Sequence, residues 1–260
     1  MRPGSPIPVG RLEHLGLGDA PLIGLDFDGT LAPIVENPDM AVVIPSNRDA
    51  VRRLAEVVTV CVVSGRDPRD ARERLGVAAV AAYAGSHGLD LIDAAGQPFD
   101  DPPTKRFENV LPLLDTVEER LRDRFSGVYG VVVERKRFGA ATHFRQRPEA
   151  AADVEAFVIG LTVDHPSLRV QFGKSVAEIR PAIDWHKGSA ITWLADRLGP
   201  FTGILYVGDD ATDEDAFEAV AGRGAGILVA SRPRTTAARF RVGDPTEVGR
   251  LLARLADRYG

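Results

Sequence analysis

The sequence predicts an α/β protein in which a doubly wound, mostly parallel sheet is combined with a smaller α+β domain inserted into the chain. Short apolar runs that end in Gly or Asp alternate with segments at helical spacing, which is typical of parallel strands joined by crossover helices. This pattern occurs near both ends of the chain. It changes between about residues 104 and 181, and the change predicts the insertion.

The first part of the sheet is predicted before residue 104. Residues 22–26 are largely apolar and predict the first strand. Ser46 is a candidate N-cap, because apolar residues then recur at helical spacing from Val51 to Val58. Residues 57–63 are apolar and rich in β-branched side chains, which predicts a strand buried on both faces beside the first.

The second part of the sheet is predicted near the C-terminus. The pattern indicates helices over residues 187–198 and 213–220, strands over 204–207 and 226–230, and a last helix with Val248, Leu251, Leu252 and Leu255 on one face.

The inserted segment has a different pattern. It begins with a long amphipathic helix from Phe107 to Leu121, followed by strand-like residues 128–134 and 141–145, a further helix and two short strands around Gly173. Prolines near both ends are candidate hinges, since proline resists continuation of a helix. We therefore expect a catalytic core of residues 1–103 and 182–260, a cap of residues 104–181, and a site in the cleft between them.

Composition excludes several classes of protein. The net charge is −5, which has the wrong sign for a general binder of nucleic acid or of an anionic membrane. Cys61 is the single cysteine, which excludes an intramolecular disulfide and a four-cysteine zinc site. The N-terminus lacks the apolar segment of a signal peptide, and no stretch approaches the roughly 20 apolar residues that span a bilayer. We expect a cytoplasmic protein.

Polar residues follow two of the predicted strands. Asp26 and Asp28 come after the first strand, where ligands of open α/β sheets bind. Ser64 and Gly65 follow the next strand, and their hydroxyl and N–H groups are suitable donors to a phosphoryl oxygen. Each pair by itself is also explained as an ordinary turn. Their shared position at one edge of a parallel sheet favours a site.

Two further elements point to the same edge. Lys187 begins a predicted helix, where a fixed cation would stabilise a phosphoryl group and restrain an aspartate nucleophile. A surface lysine explains Lys187 equally well on its own. Five acids occur in the seven residues from Asp209 to Asp215. Capping of the helix at Asp213 explains one or two of them, and a Mg²⁺ site explains the rest better.

The order Asp-x-Asp-Gly-Thr, Ser-Gly, Lys and Gly-Asp-Asp-x-x-Asp resembles the haloacid dehalogenase superfamily of phosphatases. The resemblance implies that Asp26 attacks phosphorus and that Asp28 is first the general acid and then the base. It also implies catalytic roles for Ser64 and Lys187. Mg²⁺ would be bound by Asp26, by the backbone carbonyl of Asp28, by Asp209 and, through water, by Asp213. The same oxygen ligands also accept Mn²⁺.

A narrower resemblance to trehalose-6-phosphate phosphatases rests mainly on the inserted segment. Gly85-Ser86-His87-Gly88, Glu134-Arg135-Lys136, His143-Phe144-Arg145 and Gly173-Lys174-Ser175-Val176-Ala177-Glu178-Ile179-Arg180-Pro181 are similar to segments of that family. The resemblance implies hydrolysis of trehalose 6-phosphate, functional coupling to a trehalose-6-phosphate synthase, and substrate contacts by Gly65, Arg66, Glu134, Lys136, Arg145, Lys174 and Glu178.

The residues themselves support a sugar site in the insertion less strongly. Side chains alternate along a strand, so Lys174, Glu178 and Arg180 are expected to share one face, as are His143 and Arg145. A solvated sheet face explains these charges equally well. His87 by itself is better explained as a hydrogen-bonded turn residue.

Three other functions stay open. A related phosphatase could act on another phosphorylated sugar, of the sucrose phosphate or mannosyl-phosphoglycerate type. A phosphomutase uses similar residues but must protect its phospho-enzyme from water. A regulatory partner of a synthase has no need for Asp26, Asp28, Lys187 and Asp209 together.

Overall fold

The computed structural model describes residues 7–8, 10–35, 37–163 and 165–260, without the side chains of residues 7, 8 and 38. Its strands are β1 (Ile7–Pro8), β2 (Pro21–Leu25), β3 (Thr59–Val63), β4 (Ala82–Gly85), β5 (Asp90–Asp93), β6 (Val132–Lys136), β7 (Gly139–His143), β8 (Leu168–Gly173), β9 (Val176–Pro181), β10 (Gly203–Gly208), β11 (Gly224–Val229) and β12 (Phe240–Val242). Its α-helices are α1 (Pro45–Ala55), α2 (Pro68–Leu75), α3 (Leu111–Phe125), α4 (Ala151–Val163), α5 (Lys187–Leu198), α6 (Glu214–Val220) and α7 (Pro245–Tyr259).

The larger sheet has eight strands in the order β1-β12-β11-β10-β2-β3-β4-β5. All neighbouring pairs are parallel except β4 and β5. From β2 the chain proceeds to β3 and β4 in one direction, whereas β10 lies on the other side of β2. The strand order therefore reverses between β2 and β10, and such a switch point is where open α/β sheets bind ligands.

Helices cover both faces of this sheet, because each buried strand has apolar side chains on both sides. Ile23 and Leu25 belong to a core with α1, α2 and α7. Leu22 belongs to a second core with α5 and α6. The predicted doubly wound α/β class is confirmed.

Most helices and strands begin and end close to the residues predicted from the sequence. Helix α5 has the predicted bounds. The prediction of Ser46 as an N-cap was wrong, because α1 begins at Pro45, whose fixed φ suits the first helical turn, and Ile44 is the capping residue. Strand β3 begins at Thr59 rather than at residue 57, since the N–H groups of Val57 and Val58 both bond back to α1.

A separate antiparallel sheet has the order β6-β7-β9-β8, and α3 and α4 contribute with it to a third core. The predicted helix from Phe107 was too long, because a 3₁₀ segment, Pro103–Val110, precedes α3. The prediction of Lys174 on a strand was also wrong. Lys174 lies in the turn between β8 and β9, where Ser175 has a left-handed backbone.

The chain divides into two compact units. The larger consists of the residues up to Asp100 together with Trp185–Gly260, and the smaller is Asp101–Asp184. In the described part of the chain, every helix is too short or too polar to cross a membrane.

Candidate active site

The carboxyl ends of three neighbouring strands carry residues that the sequence predicts as a site. Asp26 follows β2, Ser64 follows β3 and Asp209 follows β10. Lys187 is the first residue of α5, and the side chain of His186 caps that helix by accepting a bond from the N–H of Ser189. The sheet order brings residues that are far apart in the chain to one edge.

Lys187 is the buried cation of this site. Its Nζ donates hydrogen bonds to Asp26 Oδ1 at 2.9 Å and to Asp213 Oδ1 at 2.7 Å, and its side chain is 3% exposed. Burial by itself lowers the pKa of a lysine, but the charges of Asp213 and Asp26 outweigh it and raise the pKa of Lys187. Lys187 therefore provides a fixed positive charge beside Asp26.

Three carboxylates surround that charge. Oxygen atoms of Asp26, Asp209 and Asp213 lie within 4.8 Å of one another. Burial raises the pKa of Asp26 well above its ordinary value; Lys187 opposes this effect, and the other two carboxylates add to it. Burial and the charge of Asp213 raise the pKa of Asp209 to about 7. The cluster has more negative charge than Lys187 balances, and such hard oxygen ligands fit Mg²⁺.

Asp213 organises the loop that carries Asp209. It is fully buried, and its Oδ2 accepts hydrogen bonds from the backbone N–H groups of Asp209 and Asp210, each at 3.0 Å. Its Oδ1 accepts from Lys187 and from the hydroxyl of Tyr206 at 2.8 Å. The sequence analysis missed Tyr206. The available signal was a tyrosine in an apolar buried strand, since a buried tyrosine hydroxyl usually has a hydrogen-bond partner.

The loop after β2 approaches Asp209 closely. Gly29 has a φ of +77°, and a Cβ atom on it would collide with the carboxylate of Asp209. The carbonyl of Phe27 accepts bonds from the N–H groups of Leu31 and Ala32, which close the turn. A residue without a side chain is therefore needed at position 29 for the loop and Asp209 to lie together.

Arg66 holds Asp28. Its Nε donates to Asp28 Oδ2 at 2.6 Å and its second terminal nitrogen donates to Oδ1 at 2.7 Å, while the first terminal nitrogen donates to Asp70 at 3.0 Å. Burial by itself lowers the pKa of Arg66, but its bonds and ion pairs with Asp28 and Asp70 raise it overall. The guanidinium also lies 5.0 Å from the ring centre of Phe27. The sequence predicts Arg66 as a substrate contact, and the structure places it against the predicted acid-base residue.

The smaller unit presents polar side chains on the sheet face opposite its core. Alternation places Ala140, Ala177 and Ile179 in the core. Glu134, Lys136, His143, Glu178 and Arg180 lie on the other face. Arg145 lies beyond the end of β7, where it donates to the carbonyl of Lys174 at 3.0 Å. The predicted sugar contacts are thus divided between a sheet face and a nearby turn.

Charged and polar side chains pair on this face. His143 Nε2 lies 2.8 Å from Glu134 Oε2, and Lys136 Nζ donates to Glu178 Oε1 at 3.3 Å. Burial by itself raises the pKa of Glu134, but the hydrogen bond with His143 and the charge of Lys136 lower it overall. A Cβ atom on Gly139 would lie 2.8 Å from Glu178 Oε1, so the glycine leaves room for that carboxylate.

The strand-order switch, with a buried lysine beside the carboxylate that follows β2, places the protein in the haloacid dehalogenase class. The family within this class follows from comparison with known proteins. The sequence profile of the trehalose-phosphatase family matches residues 24–246, and the chain belongs to this family.

Individual proteins that are similar to this chain are described as members of the same family. The trehalose-phosphate phosphatase of Mycobacterium marinum is 38% identical in an alignment of 260 residues that covers 95% of this chain. That of Mycolicibacterium paratuberculosis is 39% identical in an alignment of 254 residues that covers 93%. The chain spans 65% and 63% of the lengths of these relatives. A crystal structure of a trehalose-6-phosphate phosphatase related protein superposes with a TM-score of 0.76 at 26% identity, over 91% of this chain and 97% of that one.

Proposed function

We propose that this protein is a Mg²⁺-dependent phosphatase that hydrolyses trehalose 6-phosphate to trehalose and phosphate through an aspartyl-phosphate on Asp26. The observation that carries the proposal is the buried pair of Asp26 and Lys187 within a cluster of excess carboxylates. Family membership supports the substrate. Such a phosphatase would consume the product of a trehalose-6-phosphate synthase, which is the functional coupling we propose.

Asp26 and Asp28 divide the chemistry. An Asp26 carboxylate oxygen attacks phosphorus, the bond between phosphorus and the sugar oxygen breaks, and Asp28 gives its proton to the departing sugar oxygen. Asp28 then takes a proton from a water molecule, whose oxygen attacks phosphorus. This second attack releases phosphate and restores the carboxylate of Asp26. Arg66 would hold Asp28 in position between these steps, as it does in the structure.

Asp26, Asp209 and the backbone carbonyl of Asp28 would hold the metal ion, which neutralises charge on the phosphoryl group when bound. Asp213 would contact the ion through water, because its two oxygens already accept four hydrogen bonds. Lys187 adds a second positive charge near the phosphoryl group. The hydroxyl of Ser64 and the N–H of Gly65 would donate to its oxygens.

The smaller unit would act as the cap that recognises the sugar. Glu134 and Glu178 would accept hydrogen bonds from sugar hydroxyls, and Lys136, Lys174 and Arg145 would donate to hydroxyls or to phosphate. On the sheet face, Glu134 and Lys136 are paired with His143 and Glu178, so binding would exchange protein partners for sugar hydroxyls.

Phosphate release with Mg²⁺ tests the proposal, measured with trehalose 6-phosphate, sucrose 6-phosphate, glucose 6-phosphate and an aryl phosphate. A strong preference for trehalose 6-phosphate is expected, with no turnover by Asp26→Asn or after chelation of the metal. Acid quenching should trap phosphate on the wild-type protein and not on Asp26→Asn. Turnover of the aryl phosphate without this preference would contradict the substrate, and near-normal turnover by Asp26→Asn would contradict the covalent mechanism.

A further inference from the structure

The turn after β4 has an unusual backbone. Ser86, His87 and Gly88 follow one another with φ values of 48°, 58° and 100°. Residues other than glycine seldom adopt this left-handed conformation, although histidine tolerates it better than most. Consecutive positive φ values cost free energy, and such strain persists where the surrounding structure enforces it, often at functional sites.

Hydrogen bonds enforce this turn from two sides. The N–H of His87 donates to the carbonyl of Ser64 at 2.9 Å, and the N–H of Ser86 donates to the carbonyl of Arg66 at 2.8 Å. On the other side, the indole N–H of Trp185 donates to the carbonyl of Gly88 at 2.7 Å. The turn is therefore tied to the loop after β3 and to the segment that leads into α5.

The left-handed turn places the imidazole ring of His87 against Gly65. A Cβ atom on Gly65 would lie 2.9 Å from His87 Cε1 and 3.0 Å from Nε2, so the ring occupies the space of the missing side chain. Glycine is otherwise the most flexible residue. The contact with the ring restricts the peptide units on both sides of Gly65.

We propose that His87 is a positioning residue for phosphate binding, whose ring fixes the Ser64–Gly65 peptide in the orientation that presents its N–H to the phosphoryl group. This inference rests on the proposed phosphatase function. It concerns the phosphoryl group alone, so the effect of His87 should be the same for every phosphate ester that the protein hydrolyses.

Two substitutions separate the ring from the backbone. His87→Asn keeps a residue that tolerates the left-handed conformation but removes the ring. We expect kcat/KM for both trehalose 6-phosphate and the aryl phosphate to fall by about tenfold to a hundredfold, since a small displacement of groups that position the substrate has effects of this size. Binding of inorganic phosphate to the Mg²⁺-loaded protein, measured by calorimetry, should weaken by about tenfold. His87→Phe supplies a ring without nitrogen atoms and should restore most of both quantities.

The controls separate the outcomes. His14→Asn, at an exposed histidine before β2, should behave like wild type, and circular dichroism shows whether each variant is folded. A folded His87→Asn protein with wild-type phosphate binding and kcat/KM would overturn the inference. A folded His87→Phe protein with near wild-type phosphate binding would show that the ring contact, and not the imidazole nitrogens, is what His87 supplies. If the protein does not prefer trehalose 6-phosphate, the proposed substrate is wrong. The effect of His87 can still be measured with the aryl phosphate and by calorimetry with inorganic phosphate.

Discussion

Two clusters of charged and polar side chains, one in each unit, differ in how their carboxylates are paired. In the larger unit, Lys187 is shared by Asp26 and Asp213, with Asp209 close by. In the smaller unit, Lys136 is paired with Glu178, and Glu134 is paired with His143.

The difference indicates what each cluster can bind. Burial, and after it the neighbouring carboxylates, raise the pKa values of Asp26 and Asp209 although Lys187 opposes them. A divalent cation bound there would stabilise the ionised forms. Side chains that are already paired on a sheet face need no cation, and their hydrogen bonds can be exchanged for those of a neutral sugar. The first cluster suits phosphoryl chemistry, and the second suits recognition.

The largest effect is expected from Lys187→Met. Two buried carboxylates lose the ammonium group that they share, and breaking a buried ion pair in this way costs about 3–5 kcal/mol. Urea unfolding without Mg²⁺ measures the loss. Lys136→Met is the matched control and should cost less, because its ion pair with Glu178 is longer, at 3.3 Å, and less buried than the two ion pairs of Lys187. Equal losses in the two variants would contradict the comparison.

Glu178→Gln tests recognition separately from chemistry. We expect KM for trehalose 6-phosphate to rise by about tenfold to a hundredfold, which corresponds to the loss of a hydrogen bond to a charged group. Turnover of an aryl phosphate should not change, because that substrate has no sugar. Steady-state kinetics with both substrates provides the measurement, and an equal loss with both would argue against a recognition role.

Tyr206→Phe removes one donor from Asp213 and leaves its other bonds in place. The expected cost is about 1 kcal/mol of stability. A fall of up to about tenfold in kcat with little change in KM is also expected, since Asp213 holds Lys187. Tyr83→Phe is the control, because Tyr83 is a buried tyrosine on β4 whose hydroxyl donates a long bond to the carbonyl of Val77. Loss of activity in the control alone would contradict the role of Tyr206.

The smallest effect is expected from Glu134→Gln. The pKa of Glu134 is lowered in the folded state, so its ionised form stabilises the fold above the ordinary pKa of 4.5. This contribution is lost as the pH falls through the lowered value. The difference in stability from wild type should be at most about 1 kcal/mol at pH 7 and should disappear once the pH has fallen below the lowered pKa of Glu134. Thermal unfolding of both proteins at several pH values measures this difference. A difference that grows as the pH falls would contradict the prediction.

Much of the candidate site could be predicted because each residue follows a recognisable strand or begins a helix. Asp26, Ser64, Lys187 and Asp209 all have such positions, and parallel strands bring their carboxyl ends to one edge. Tyr206 could not be predicted as a partner of Asp213, since a tyrosine in an apolar strand looks like any core residue until its neighbours are known.

Errors arose where local pattern and local geometry differ. Lys174 fits the alternation of a strand, but the left-handed Ser175 makes a turn there. The role of Arg66 as a substrate contact stays a prediction, and the structure adds that its guanidinium reaches Asp28 and Asp70. Neither outcome depends on residue type alone, because each requires the path of the backbone.

The α/β class, the insertion and the residues at the strand ends follow from the sequence, because the spacing of apolar residues and the positions of turn-forming residues are local properties. Which of these residues contact one another depends on the tertiary structure. The bond of 2.9 Å between Lys187 and Asp26 joins residues 161 positions apart. It exists because α5 begins beside the point where β2 and β10 pair, which strand order and packing determine together. The position of the His87 ring against Gly65 depends in the same way on the neighbouring positions of β3 and β4.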